Sequence, residues 1–121
     1  MIKGIGLDIV DLKRIESAYI RREAFAMRIL TDSERQTFLT LSDKRKIEFL
    51  AGRFASKEAY SKALGCGIGK DLSFQDMEVR TDATGKPRIE NLKCNNDLNV
   101  NHLSITHTRE YAAAQVIIEG K

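Results

Sequence analysis

The chain contains no apolar run approaching the ~20 residues that a membrane-spanning helix requires. Its 121 residues include only two cysteines, Cys66 and Cys94, and neither belongs to a CxxC pair or a Cys/His cluster. A disulfide framework and a zinc site are thereby excluded, and both residues read as free thiols. Aromatic residues make up 7% of the sequence and form no stripe on which bases would stack. Neither a membrane nor a nucleic acid is expected as a partner. Repeats, low-complexity tracts and linkers are also missing, which leaves one domain over residues 1–121 as the expected organisation. The stretch MIKGIGLDIVD is apolar but interrupted by Asp8 and Asp11, so it reads as a strand instead of a secretory segment and points to a cytoplasmic protein.

What is present is the 42% hydrophobic and 31% charged content of a soluble globular protein. Charge is uneven along it: residues 13–62 hold twelve Lys/Arg against seven Asp/Glu, while the remainder holds eight against ten. A basic half suits an anionic partner, and it equally suits solvated helices. In the opening strand Ile5, Leu7 and Ile9 share one face, and Gly4, Gly6, Asp8 and Val10 share the other. Asp8 therefore stands on a face cleared by two glycines. Leu12, Ile15, Tyr19 and Ile20 lie at helical spacing through LKRIESAYIRR, with Arg14, Arg21 and Arg22 toward water. The capping-box pattern TDSE starts a helix at Thr31 that should run to about Leu41. Ser42 or Asp43 can cap a long helix that stops before Gly65. MEVRTD and RIEN around ATGKP, then HLSITHT and YAAAQVIIE, read as two hairpins, while KCNNDLNVN between them is ambiguous. One strand, then helices, then antiparallel strands predicts an α+β fold.

The long helix raises a question of charge. On a helical wheel Ile47, Ala51, Phe54, Ala55, Glu58 and Lys62 fall in one sector of roughly 100°, with Leu50 at its margin and Arg53 and Lys57 on a neighbouring flank. Glu58 is thus expected on a buried face, where a carboxylate is costly unless compensated. Two readings are open. Glu58 and Lys62 form an i,i+4 pair, or Glu58 meets Asp8 across a helix–strand contact and the two hold a divalent metal completed by water and phosphates. GCGIGKD after the helix is GxGxG, not GxGxxG, and it fails GxxxxGK[ST] because Leu64 and Asp71 occupy required positions. It is either a helix stop or a phosphate cradle to which Lys70 adds charge. The ATGKP turn has the same ambiguity. His107 can be a phosphate contact, a general base or a hydrogen-bonded strand residue, and His102 has no distinguishing spacing.

In GIGLDIVDLKRIE, FLAGRFASKEAYSKALGCGIG, DATGKPRI and HLSITHTREYAAAQVIIE, ordered over nearly the whole chain, the sequence resembles the holo-acyl-carrier-protein synthases, a class of 4'-phosphopantetheinyl transferases. The resemblance implies transfer of phosphopantetheine from coenzyme A to a serine of an acidic acyl carrier protein, in fatty acid biosynthesis, with release of adenosine 3',5'-bisphosphate. It implies Asp8 and Glu58 as Mg²⁺ ligands, Lys62 on the pyrophosphate, and a coenzyme A site lined by Arg53, Gly65, Gly67, Ile68, Gly69, Gly85, Lys86, Pro87 and His107. Arg14 would face the carrier protein, and the family's assembly is a homotrimer with active sites between subunits. One departure is Cys66, where a threonine is common in the family's loop; Val10, two residues beyond Asp8 on the same strand face, offers no third carboxylate, so water would have to complete the metal shell.

For the transfer that the resemblance implies, Glu58, or a metal-bound water beside it, is the candidate to take the serine proton, because it shares a helix face with the Lys62 cation one turn away. Arg21, Arg22 and Arg28 around Phe25 extend the basic surface that an acidic carrier would meet. The competing classes are a nucleic-acid-binding module, which leaves the Asp8 and Glu58 pairing unexplained, and a coenzyme A-binding regulator without transfer.

Overall fold

The computed structural model describes residues 1–94 and 98–121. Strand β1 (Ile2–Asp11) pairs antiparallel with the last strand, β5 (Tyr111–Gly120), in a register running from Gly4 opposite Ile118 to Asp11 opposite Tyr111. The first and last strands thus lie side by side. β4 (Asn99–His107) adds to the other side of β5, giving a three-stranded antiparallel sheet in the order β1-β5-β4. β2 (Met77–Thr81) and β3 (Pro87–Asn91) form a separate two-stranded hairpin. Its turn is closed by the Asp82 carboxylate, which accepts from the Thr84 and Lys86 amides at 2.8 and 3.0 Å, and Gly85 takes φ +88° there. Of the ambiguous stretch 93–101, residues 99–101 open β4 and residues 95–97 lie outside those described.

Helices α1 (Leu12–Arg21), α2 (Ala24–Ile29), α3 (Asp32–Phe38) and α4 (Asp43–Leu64) fill the interval between β1 and the hairpin. The expected capping box is present: the Thr31 hydroxyl accepts from the Glu34 amide and the Glu34 carboxylate accepts from the Thr31 amide. Ser42 caps α4, and Gly65 ends it in the left-handed region at φ +83°. The α3 helix stops at Phe38, short of Leu41, and α2 was not anticipated; six residues are too few for a periodic signal to show.

Helix α4 lies on the inner face of the sheet, against β1 and β5. One core sits there: Ala55, Ala59 and Ala63 pack with Val116, Ile118, Leu103 and Val79. A second joins Leu50 and Ala51 of α4 to Ile15, Ile29, Leu30 and Phe38 of the shorter helices. Each large aliphatic side chain so buried contributes about 1.5–3 kcal/mol. Gly4 and Gly6 set the helix–strand spacing. A Cβ at Gly4 would collide with the Ala63 carbonyl oxygen, and one at Gly6 with that of Ala59. The α+β expectation is met. The apolar alternate face of β1 points outward, however, with Ile5, Leu7 and Ile9 exposed by 61, 62 and 65%.

Candidate active site

The orientation of α4 differs from the wheel-based expectation. Of the sector predicted to be buried, Ala51 and Ala55 are wholly buried, with Leu50 at its margin, but Lys62 is exposed and Ile47, Phe54 and Glu58 are only half-buried. Lys57, expected on a flank, is wholly buried. The reason is that α4 is covered on two sides, by the sheet and by the α1–α3 layer with β2, so its apolar and small residues run almost all the way round. A single-sided amphipathic reading misplaces such a helix.

The opening leaves Glu58 and Lys62 beside Asp8 of β1. Lys62 Nζ lies 3.0 Å from Asp8 Oδ1 and donates to the Leu7 carbonyl at 3.1 Å. The i,i+4 pair with Glu58 is thus replaced by a pair across the helix–strand contact. Of this pair Asp8 is the more enclosed, its side chain 15% exposed against 51% for Lys62. Asp8 Oδ2 is buried with no hydrogen-bond partner. Among the described residues no cation pairs directly with Glu58. Desolvation, then the nearby Asp8 charge, push its carboxyl above the ordinary carboxylate range, and Lys62 pulls it partly back.

Other predicted residues lie apart from this cluster. His107 Nδ1 faces Glu48 Oε2 at 3.6 Å. It stands opposite Ala112 on β5, whereas Asp8 stands opposite Ala114 from the other side. Two strand spacings and two residues put roughly 12 Å between them. Arg53 stacks its guanidinium over the Phe49 ring at 3.9 Å, with its Nε buried and unpartnered. Burial lowers its pKa and the Glu34 charge works against that. In the loop after α4, the amides of Gly65, Cys66 and Gly67 all donate back to the Ser61 carbonyl, at 3.0, 3.2 and 3.4 Å, and Gly69 donates to Leu72. These four amides serve the loop itself, as a helix stop does; Ile68 and Lys70 make no such backbone bond among the described residues. No hydrogen bond or ion pair among the described residues ties Gly85, Lys86 or Pro87 to Asp8 or Glu58. Arg14, Arg21, Arg22 and Arg28 are exposed along α1 and α2, and Phe25 is half-buried against Phe54 at 6.3 Å between ring centroids. Both cysteines are free and exposed.

The sequence matches the 4'-phosphopantetheinyl transferase superfamily over residues 4–116. The chain belongs to that family. It is 61% identical over 119 residues to the holo-[acyl-carrier-protein] synthase of Bacillus subtilis strain 168, covering 98% of this chain and 97% of the relative. The holo-[acyl-carrier-protein] synthase of Bacillus velezensis is equally close, with the same coverage. A crystal structure of a holo-(acyl-carrier-protein) synthase from Bacillus anthracis in complex with CoA (3',5'-ADP) superposes with a TM-score of 0.89 at 50% identity, covering 100% of this chain and 99% of that one. The Helicobacter pylori holo-[acyl-carrier-protein] synthase in complex with coenzyme A gives a TM-score of 0.84 at 38% identity, covering 95% and 99%. The resemblance in the four motif stretches therefore marks a true relationship, and this protein is an enzyme, a phosphopantetheinyl transferase.

The transferase's Asp8 and Glu58 fit a hard divalent cation. Both groups are carboxylates; among the described residues Asp8 carries a buried oxygen with no partner, and Glu58 is pushed up by desolvation and then by the Asp8 charge, which a cation between them would offset. Among the described residues no group of three or more His, Cys, Asp and Glu could hold a metal, so water and phosphate oxygens would have to supply the remaining positions. The sequence reading missed the internal partners of two site elements: Glu48 behind His107, and Glu34 behind Lys57. The second carried a signal. The TDSE box turns the Glu34 carboxylate back onto its own helix start, away from solvent, where a buried cation can reach it.

Proposed function

We propose that this transferase moves the 4'-phosphopantetheine arm of coenzyme A to a serine hydroxyl of an acidic apo acyl carrier protein, releasing adenosine 3',5'-bisphosphate, in the Mg²⁺-dependent step that prepares carriers for fatty acid biosynthesis. The observation that carries this reading is the meeting of Asp8, Glu58 and Lys62 at the β1–α4 contact, with Asp8 Oδ2 buried and unpartnered. The names of the relatives and the coenzyme A in their complexes support it.

In the reaction the serine oxygen forms a bond to the β-phosphorus, the phosphorus–oxygen bond to the nucleotide breaks, and the bisphosphate leaves. Glu58 takes the serine proton, standing on α4 beside Asp8 and one turn from the Lys62 cation. Lys62, half-exposed and fixed by two contacts, supplies positive charge for the pyrophosphate. Asp8 anchors Lys62 and keeps one oxygen for the cation. When bound, Mg²⁺ would neutralise pyrophosphate charge and fix its orientation.

The nucleotide end is assigned to the cleft of about 1030 Å³ where His107 is joined by Lys44, Lys46 and Arg109. Arg53, the Gly65, Gly67, Ile68 and Gly69 loop, and the Gly85, Lys86 and Pro87 turn complete the coenzyme A contacts in this reading. The separation of His107 from Asp8 within one chain favours sites completed by a second subunit. The exposed Ile5, Leu7 and Ile9 face supplies an apolar surface for such a homotrimer. Arg14, Arg21, Arg22, Phe25 and Arg28 receive the carrier, the single domain spans 1–121, and the setting is the cytoplasm.

The test is incubation with apo carrier protein, coenzyme A and Mg²⁺, followed by mass spectrometry of the carrier. A phosphopantetheine adduct that needs all three components is expected. No adduct with several carriers would sink the reading.

A further inference from the structure

Lys57 immediately precedes Glu58 but makes no contact with the site. Its side chain is 0% exposed, and Nζ donates at 2.6 Å both to the Ile29 carbonyl, at the end of α2, and to Glu34 Oε1, at the start of α3. Glu34 in turn accepts from the Thr31 amide at 2.9 Å and, through Oε2, from the Val79 amide of β2 at 2.7 Å. The neighbouring Glu78 accepts from the Thr31 hydroxyl at 2.6 Å and from Arg80 Nε at 2.8 Å. One ammonium thus ties α4 directly to α2 and α3, and through Glu34 to β2. A buried pair of this kind is often no more stabilising than apolar residues of the same volume, and fixing registration is its best-attested use.

We propose that Lys57 is a positioning residue: its tether to Ile29 and Glu34 sets the roll of α4 about its own axis, and thereby the place of Glu58 and Lys62 relative to Asp8. The argument is geometric and rests on the reading of that cluster given above. On the sheet side, α4 meets β1 through Gly4, Gly6 and the alanine backbone, contacts that fix how closely the helix approaches. A surface of small side chains resists rolling poorly. The Lys57 tether acts from another side of the helix, where rotation has leverage. A carboxyl group sits about 6 Å from a helix axis, so a roll of ~10° displaces it by about 1 Å. A misplacement of that size costs a positioned reaction up to about 100-fold.

The test compares Lys57→Met, Lys57→Met/Glu34→Gln and Lys57→Arg with the unaltered protein, reading melting temperature, kcat, and coenzyme A affinity by calorimetry with and without Mg²⁺ in the absence of carrier. Lys57→Met leaves Glu34 buried and unpaired and should lower the melting temperature by roughly 10–20 °C. The double variant removes that stranded charge and should recover most of the loss. Its kcat should nevertheless stay at least tenfold down, and the gain in coenzyme A affinity on adding Mg²⁺ should shrink at least fivefold. Lys57→Arg keeps the charge, but a guanidinium cannot occupy the ammonium's place without moving the helix. It is the arm that remains informative if the Met variants do not fold, with the same two losses expected. Either folded variant showing kcat and Mg²⁺ gain within twofold of the unaltered protein would overturn the proposal. Failure of the unaltered protein to transfer or to bind coenzyme A would instead refute the functional reading itself.

Discussion

Glu58 is held in the folded protein at a cost. Its carboxyl pKa is raised by desolvation and by Asp8, so this residue's contribution to stability is fully present below the unfolded-state pKa and is lost as pH rises through the higher folded value. Glu58→Gln should therefore raise the metal-free melting temperature at pH 7, by only about 1–3 °C because the half-buried group is partly screened by solvent. The same change should lower kcat at least ~100-fold. Thermal melts and the adduct assay on one preparation check both signs; a variant that is active and no more stable would remove Glu58 from the site. Glu78 shows the opposite sign. Burial alone would raise its pKa, but the Thr31 hydroxyl, the Arg80 guanidinium and the Lys57 charge outweigh burial and leave it lowered. Its contribution is present above the unfolded-state pKa and lost as pH falls through the lower folded value. Melts between pH 3 and 7 should show a smaller acid loss in Glu78→Gln than in the unaltered protein.

At the scale of the element, the β1–α4 contact is the feature on which site geometry depends. Gly6→Ala forces the added methyl against the Ala59 carbonyl, which is backbone and cannot rotate away. The helix must lift from the strand, at about 2–3 kcal/mol, a fall of roughly 10 °C in a chain of this size. Glu58 and Lys62 would separate from Asp8 at the same time, so kcat should drop in the population that remains folded at low temperature. Full activity well below the melting temperature would show that the cluster tolerates a wider helix–strand gap. The α4 helix also shows why a wheel drawn from sequence misplaces a site. A helix covered on two sides buries small and polar residues, including Ser56, Lys57 and Ser61, and leaves open the sector that holds Glu58 and Lys62.

For the whole molecule, assembly and charge make separate predictions. If copies pack through the outer face of the sheet, light scattering should give about three times the 13.7 kDa chain mass. Leu7→Glu should reduce this to the monomer and abolish transfer with Asp8, Glu58 and Lys62 intact; an active monomer would show that one chain holds a complete site. The basic α1–α2 surface predicts that the carrier KM rises steeply with salt while the coenzyme A KM changes less. A carrier KM indifferent to salt would move the docking surface elsewhere.

Local rules in the sequence determined much of this protein by themselves. Thr31, Ser42 and Gly65 placed helix ends because caps answer to nearest-neighbour hydrogen bonding, and alternation placed Gly4, Gly6 and Asp8 on one strand face. The four motif stretches identified the family, and that resemblance put Asp8 and Glu58 forward as a candidate pair. Tertiary structure decided what depends on contacts distant in sequence: that Lys62 pairs with Asp8 instead of Glu58, that Lys57 is the buried charge, and that the apolar face of β1 turns outward. Periodicity tells which residues share a side of an element. Which side is covered, and by how many neighbours, is settled only when β5 returns to β1 and the helices close over α4 from a second direction.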